Sequence, residues 1–150
     1  MKKKFFLKIK RPYVFVPMCL DFMHHGHVNI LNKAKKYGNI ILGLMKDEAI
    51  SKYKNKPLNS FKQRKTIALS LKNVKKILPV NDLNDFLKLS QKYKFDYFVH
   101  GDDWKKEPQS KTRKKVINLL KEWKGKVIDI PYTKKISSTL IKSKLNKHGK

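Results

Sequence analysis

Three of the chain's five histidines stand within four residues, "HHGH" at 24–27. His24 and His27 sit three apart, at or just before the first turn of an expected helix, and Gly26 between them lets the backbone approach a ligand closely. A helix start presents unpaired amides and about +0.5 of an elementary charge, so imidazoles added there make a site suited to phosphate oxygens. Two other readings compete: surface histidines near a helix start, or a metal site drawn from Cys19, His24, His25 and His27, which has no second ligand pair elsewhere in the chain. "HGDDW" at 100–104 puts Gly101, Asp102, Asp103 and Trp104 after an apolar run. Its adjacent carboxylates could hold magnesium or accept hydrogen bonds from an exocyclic amine. Trp104 could stack on a base or, equally, serve as a core residue behind a helix cap. "PYTKKISSTLIK" at 131–142 sets Ser137, Ser138 and Thr139 at another helix start behind Lys134 and Lys135. Hydroxyls, orphan amides and lysines again suit phosphates, against ordinary N-capping as the alternative.

These segments need elements to position them. Short β-branched and aromatic runs at 13–20, 39–45, 74–80, 95–101 and 126–131 read as strands. Helical spacing runs from Gly26 to a stop at Gly38, then over 60–73, 83–94, 111–125 and 137–147. Residues 46–60 are polar, with Lys52, Lys54, Lys56 and Pro57, and read as a short helix followed by a mobile flap that orders on ligand. Alternating strands and helices, with strands apolar on both faces, predict a Rossmann-like α/β fold: a five-stranded parallel sheet flanked by helices on both faces. Ligands in such sheets bind beyond the carboxyl ends of the strands, and all three chemically suggestive segments fall there.

A chain of 150 residues suits one domain spanning 1–150, large enough to bury about 68–70% of its unfolded surface. The single cysteine excludes an internal disulfide and favours a reducing cytoplasm. No apolar stretch reaches the ~20 residues that span a bilayer. The net charge is +26, but only Arg11, Arg64 and Arg113 among the 37 basic residues are arginine. The rest are lysines spread along the whole chain, which speaks against nucleic-acid readout. The positive field still draws in polyanionic small substrates such as nucleoside triphosphates. A Walker loop, a GxGxxG turn and a nucleophile elbow are all missing from the sequence, which argues against the corresponding NTPases, dinucleotide enzymes and hydrolases.

The histidine-x-glycine-histidine after the first strand, the "GDDW" segment after the fourth and the "ISST" segment opening the last helix together resemble the cytidylyltransferases, over about residues 13–145. The chain looks like the glycerol-3-phosphate type and is more similar still to those acting on phosphonates such as 2-aminoethylphosphonate. "SKYK" (51–54), "VHGDDWK" (99–105), "QSKTR" (109–113), "LKEW" (120–123) and "PYT" (131–133) carry that closer likeness. The resemblance implies that His24 and His27 stabilise charge on the triphosphate, with Lys54 reaching phosphates and Arg64 as a further anion contact. It implies that Cys19, Leu20 and Asp21 lie along the nucleotide with Gly26, and that Gly101, Asp102, Asp103 and Trp104 line the cytosine pocket. Tyr132, Thr133, Ile136, Ser137, Ser138 and Thr139 would wrap the triphosphate. The chain departs from the family at Met18, where a glycine is usual, at Tyr132, where the glycerol-phosphate type has arginine, and at Lys134-Lys135, which replace Glu-Gly.

The implied reaction joins CTP and a small anionic acceptor (2-aminoethylphosphonate, glycerol 3-phosphate or phosphoethanolamine) and releases pyrophosphate. Magnesium would sit on the triphosphate, with Asp21 or Asp102 as candidate ligands, and a homodimer is implied, with neither nucleic acid nor membrane as partner. Rival readings are an adenylyltransferase of the same superfamily and a non-catalytic module binding nucleotide or RNA. "HHGH" and "KISST" distantly echo the class I aminoacyl-tRNA synthetases.

Overall fold

The computed structural model describes residues 7–149. Five parallel strands form one sheet in the order β3-β2-β1-β4-β5. They are β1 (Tyr13–Met18), β2 (Asn39–Met45), β3 (Val74–Val80), β4 (Tyr97–Gly101) and β5 (Lys126–Ile130). The helices between and after them are α1 (His25–Ala34), α2 (Asp47–Ser51), α3 (Phe61–Leu69), α4 (Asn84–Tyr93), α5 (Ser110–Lys121) and α6 (Ser138–His148). The expected α/β class and five-stranded parallel sheet are what the chain adopts.

The sheet is covered on both faces because its central strand, β1, is apolar at every position. All six residues of β1 are buried. Tyr13 and Phe15 pack with Ile41, Phe98, Phe86 of α4 and Val116 of α5, whereas Val14 and Val16 pack with Ile40, Leu42, Leu31 of α1 and Ala68 of α3. Helices α4 and α5 thus cover one face, and α1 and α3 the other. The β3 edge carries exposed Lys75, Lys76 and Pro79, residues that discourage pairing with a further strand.

The element ends differ from the sequence expectation where backbone conformation intervenes. β1 stops at Met18 because Leu20 turns the chain sharply at φ 55°. Helix α4 ends on Lys94 at φ 52°, and α5 ends well before Gly125, with Lys124 at φ 62°. Gly125 lets the chain pass close to Phe95, whose carbonyl oxygen would lie 2.8 Å from an added Cβ.

Gly43 in the middle of β2 makes room for Phe15. The Phe15 ring stacks on Phe95 with centroids 4.5 Å apart and planes 8° apart, and a Cβ on Gly43 would collide with it. Gly43→Ala should therefore destabilise the protein by about 1–3 kcal/mol through overpacking. A lower urea midpoint with unchanged slope is the expected result; an unchanged midpoint would contradict this packing.

Candidate functional site

The site begins at the start of α1. His24 is the N-cap, in extended conformation, and its Nδ1 accepts a hydrogen bond from the Gly26 amide at 3.1 Å. His27 reaches back so that its Nδ1 accepts from the His24 amide at 3.1 Å. Two imidazoles thus form the reciprocal capping arrangement usually made by a hydroxyl and a carboxamide or carboxylate. An amide N–H can only donate, so both Nδ1 atoms are unprotonated and each neutral ring carries its proton on Nε2. The ring centroids are 4.0 Å apart. Burial lowers the pKa of both rings, helped by repulsion from His25 for His24 and from His24 and Lys54 for His27. Gly26 serves this geometry directly, since a Cβ there would lie 2.8 Å from the His24 ring. His25 between them is exposed.

These rings open onto a cavity of about 230 Å³ beyond the carboxyl ends of the strands. His24, Gly26, His27 and Ile30 line it from α1. The segment after β5 supplies Tyr132, Thr133, Ile136, Ser137, Ser138 and Thr139, all of them expected site residues. Cys19, Lys54, Gly101 and Asp103 join the same lining. The segment after β5 is tied down by Asn29 donating to Thr133 Oγ1 at 3.2 Å and Ser138 donating to the Phe22 carbonyl at 3.2 Å. Ser137 caps α6, its hydroxyl accepting from the Leu140 amide. Lys135 stands at φ 62°, so the chain takes a glycine-like turn without the glycine. The loop carrying Lys54 is anchored by the Cys19–Tyr53 contact at 3.3 Å and by Asp21 accepting from the Leu58 and Asn59 amides.

Five expected site residues are placed elsewhere. Leu20 is fully buried in the core on the α1 side of the sheet and does not lie along the cavity. Asp21 holds the Leu58 and Asn59 amides and Lys142 Nζ at 2.6 Å. Burial alone would raise its pKa, but these hydrogen bonds outweigh it and hold the carboxylate below its usual value; both oxygens are committed, which does not fit a magnesium ligand. Arg64 is no anion contact: with no exposed surface, it donates to the carbonyls of Cys19, Met45 and Asn59 and to Asp47. Asp102 lies outside the cavity lining and accepts from the Tyr132 amide at 3.1 Å, joining the ends of β4 and β5. Trp104, 1% exposed, lies parallel to both Phe98 and His100 and donates to Asp129 at 2.6 Å. It is a core residue and leaves no face for a base. Arg113, from the "QSKTR" run, grips the same Asp129 through Nε and Nη2.

The sequence reading missed three polar residues of the cavity and its apolar lining of Ile30, Met45 and Phe86. His100 lines the cavity although it opens the quoted "HGDDW"; only its strand position, alternating with buried Val99, could have flagged it. Tyr53 and Gln109 also line the cavity, and Lys142 lines an open groove continuing from it along α6. Tyr53 and Gln109 come from polar segments without periodicity, and Lys142 from a helix with no buried residue, so the sequence offered no geometric signal for these three.

His27 has a pKa lowered to about 4, by burial first and then by the charges of His24 and Lys54, from an ordinary 6.5. Between those values only the unfolded chain takes up the proton. The stabilising contribution is therefore full above about pH 6.5 and is lost as the pH falls toward 4. The urea midpoint should decline over that window, and His27→Gln should flatten the decline; an equally steep decline in the variant would exclude His27 as its source.

Known proteins bear on this geometry. The family described as cytidylyltransferase-like matches residues 16–144. The glycerol-3-phosphate cytidylyltransferase of Bacillus spizizenii is 34% identical over 123 residues, covering 81% of this chain and 88% of that one. The ethanolamine-phosphate cytidylyltransferase of Arabidopsis thaliana is also 34% identical, over 65% of this chain but only 24% of its own length. Thus the chain spans about a quarter of that longer relative. A crystal structure of a lipopolysaccharide core biosynthesis protein from Thermoplasma volcanium superposes with a TM-score of 0.66 at 19% identity, covering 83% of this chain and 98% of that one, and shares the fold. With the family matched from β1 to α6, on a sheet whose carboxyl edge carries the paired imidazoles, the chain belongs to the cytidylyltransferase-like family and is a nucleotidyltransferase of that class.

Proposed function

We propose that the chain transfers CMP from CTP to the anionic oxygen of a small phosphonate or phosphomonoester and releases pyrophosphate. The observation that carries this reading is the pair of neutral imidazoles whose Nδ1 atoms are both fixed by backbone amides. That fixation leaves two Nε2–H donors at a helix start, in a cavity also lined by Lys54 and by Ser138 and Thr139. Such donors stabilise charge as it develops on the phosphates, with no reorganisation at the moment of reaction. The acceptor oxygen forms a bond to the α-phosphorus, the bond from that phosphorus to the bridging oxygen breaks, and its electron pair leaves with pyrophosphate. The acceptor is already anionic, so no general base is required, and the protein's task is alignment and charge stabilisation.

Magnesium enters this reading as the counter-ion of the triphosphate, because both oxygens of Asp21 are engaged within the protein and Asp102 lies outside the cavity lining. The reading is completed by one catalytic unit over the whole chain, working as a cytoplasmic homodimer with no nucleic-acid or membrane partner. Among the described residues no helix is long and apolar enough to cross a membrane.

Pyrophosphate release with CTP, magnesium and a panel of acceptors tests the proposal. CTP should be used at least about tenfold better than ATP; equal or better use of ATP would replace the cytidylyl reading with an adenylyl one. His24→Ala and His27→Ala should each lower kcat by about 10²–10³. CTP affinity should change less, because donors aimed at developing charge act mainly on the transition state. His25→Ala should be mild. Near-normal kcat in both His24 and His27 variants would remove the role assigned to the imidazoles.

A further inference from the structure

Tyr53 and Lys54 line both the cavity and the open groove that continues from it along α6. Across residues 51–56 every residue but Tyr53 is exposed. Lys54 therefore has no packing of its own to place it, and a lysine amine on a flexible stem is costly to order. Its neighbour supplies the order. The Tyr53 side chain is partly buried against the core on the α4/α5 face, and its hydroxyl meets the Cys19 Sγ at 3.3 Å. Burial raises the Tyr53 pKa, and the nearby Cys19 adds to the shift, so the phenol keeps its proton and has it to donate. The thiol stands on a fixed backbone, because the Cys19 carbonyl accepts from the buried Arg64 at 2.6 Å. The amides of Tyr53 and Lys54 both donate to the carbonyl of Ile50, at 3.2 and 2.9 Å. The Lys54 Nζ lies 5.6 Å from the centroid of the Tyr53 ring, within the range of a cation–π contact.

We propose that Tyr53 is the positioning residue for Lys54: its hydroxyl, bonded to the Cys19 thiol, and its ring, beneath the ammonium, hold the Lys54 charge at the cavity before any substrate binds. The role assigned to that charge rests on the transferase reading above. Burial is the main reason that His27 and His100 resist protonation, and the Lys54 charge adds to it at both rings, so the ammonium is felt on both sides of the sheet's carboxyl edge. The next tie along the loop, Asp21 to the amides of Leu58 and Asn59, lies beyond Pro57. Without the Tyr53 contact, the chain from Lys52 to Lys56 would keep no side-chain anchor, and Lys54 would have to be ordered during each turnover. A charge already in place stabilises developing charge without reorganisation, so the anchor acts on kcat more than on the binding of CTP.

The test is a double-mutant cycle read by pyrophosphate release, with CTP, magnesium and the best acceptor of the panel. Tyr53→Phe keeps the ring and removes the hydroxyl; it should lower kcat by about three- to tenfold, the scale of one hydrogen bond, with a smaller change in KM for CTP. Tyr53→Leu, which removes the ring as well, should lower it further. In a Lys54→Ala background, Tyr53→Phe should cost nothing more, because the group it positions is gone. Cys19→Ala should repeat the Tyr53→Phe loss, and Cys19→Ser, which keeps an acceptor for the phenol, should lose less than Cys19→Ala. Equal Tyr53→Phe losses with and without Lys54 would overturn the proposal, and so would a Tyr53→Phe protein that loses stability while its kcat is unchanged. If the wild type turns over no acceptor, the transferase reading fails, and hydrogen exchange decides the positioning role: the Lys54 amide should exchange at least about threefold faster in Tyr53→Phe than in the wild type, and equal exchange removes the anchor.

Discussion

A guanidinium with no exposed surface closes the carboxyl end of this sheet. Parallel strands finish with carbonyl groups that need partners, and Arg64 takes those of Cys19 after β1 and Met45 at the end of β2, together with that of Asn59 and the side chain of Asp47. The charge is offset by Asp47, and the planar fork satisfies several acceptors at once, as a lysine could not. Removing one member of such a buried set is costly because the remaining groups lose their partners. The path of residues 19–21, the start of α3 and the anchored end of the Lys54 loop all follow from it. The cavity can exist at this edge because its own walls are held from behind.

Charge at the site is handled by proton placement. Neutral rings avoid mutual repulsion at 4.0 Å and still donate through Nε2, whereas protonated Nδ1 atoms would face the amides that now fix them. The lysines dispersed over the surface supply the attractive field at long range. At the cavity itself, the capping geometry at α1 directs the hydrogen bonds.

The fold was legible because its periodicities are strong: β2 and β3 occupy the residues expected of them, and the wholly apolar β1 announces burial on two faces. The paired histidines and the "ISST" hydroxyls were legible as neighbours around one cavity because their spacing at helix starts restricts where they can point. Arg64, Asp21 and Trp104 were misplaced for a common reason. Charged and aromatic residues near a binding edge serve equally well as its scaffold, and only their partners, Met45, Leu58 and Asp129 among them, reveal which role they take. His100 and Gln109 stayed hidden because their placement depends on how β4 and α5 meet in space. The replacement of glycine by Lys135 left the backbone path open in the sequence, and the left-handed φ there resolves it.

Helix α6 has no buried residue, although it supplies hydroxyls to the cavity. Its start is fastened by polar links, Ser138 to the Phe22 carbonyl and Lys142 to Asp21, with almost no apolar seam. An element docked in this way sits at the low end of the protein's stability spectrum, where opening precedes global unfolding. A nucleotide that bridges the starts of α1 and α6 would add its binding free energy to that docking. The last helix would then behave as a clasp whose closure is driven by the substrate, and the gain or loss of its hydrogen-exchange protection would report occupancy of the cavity from outside it.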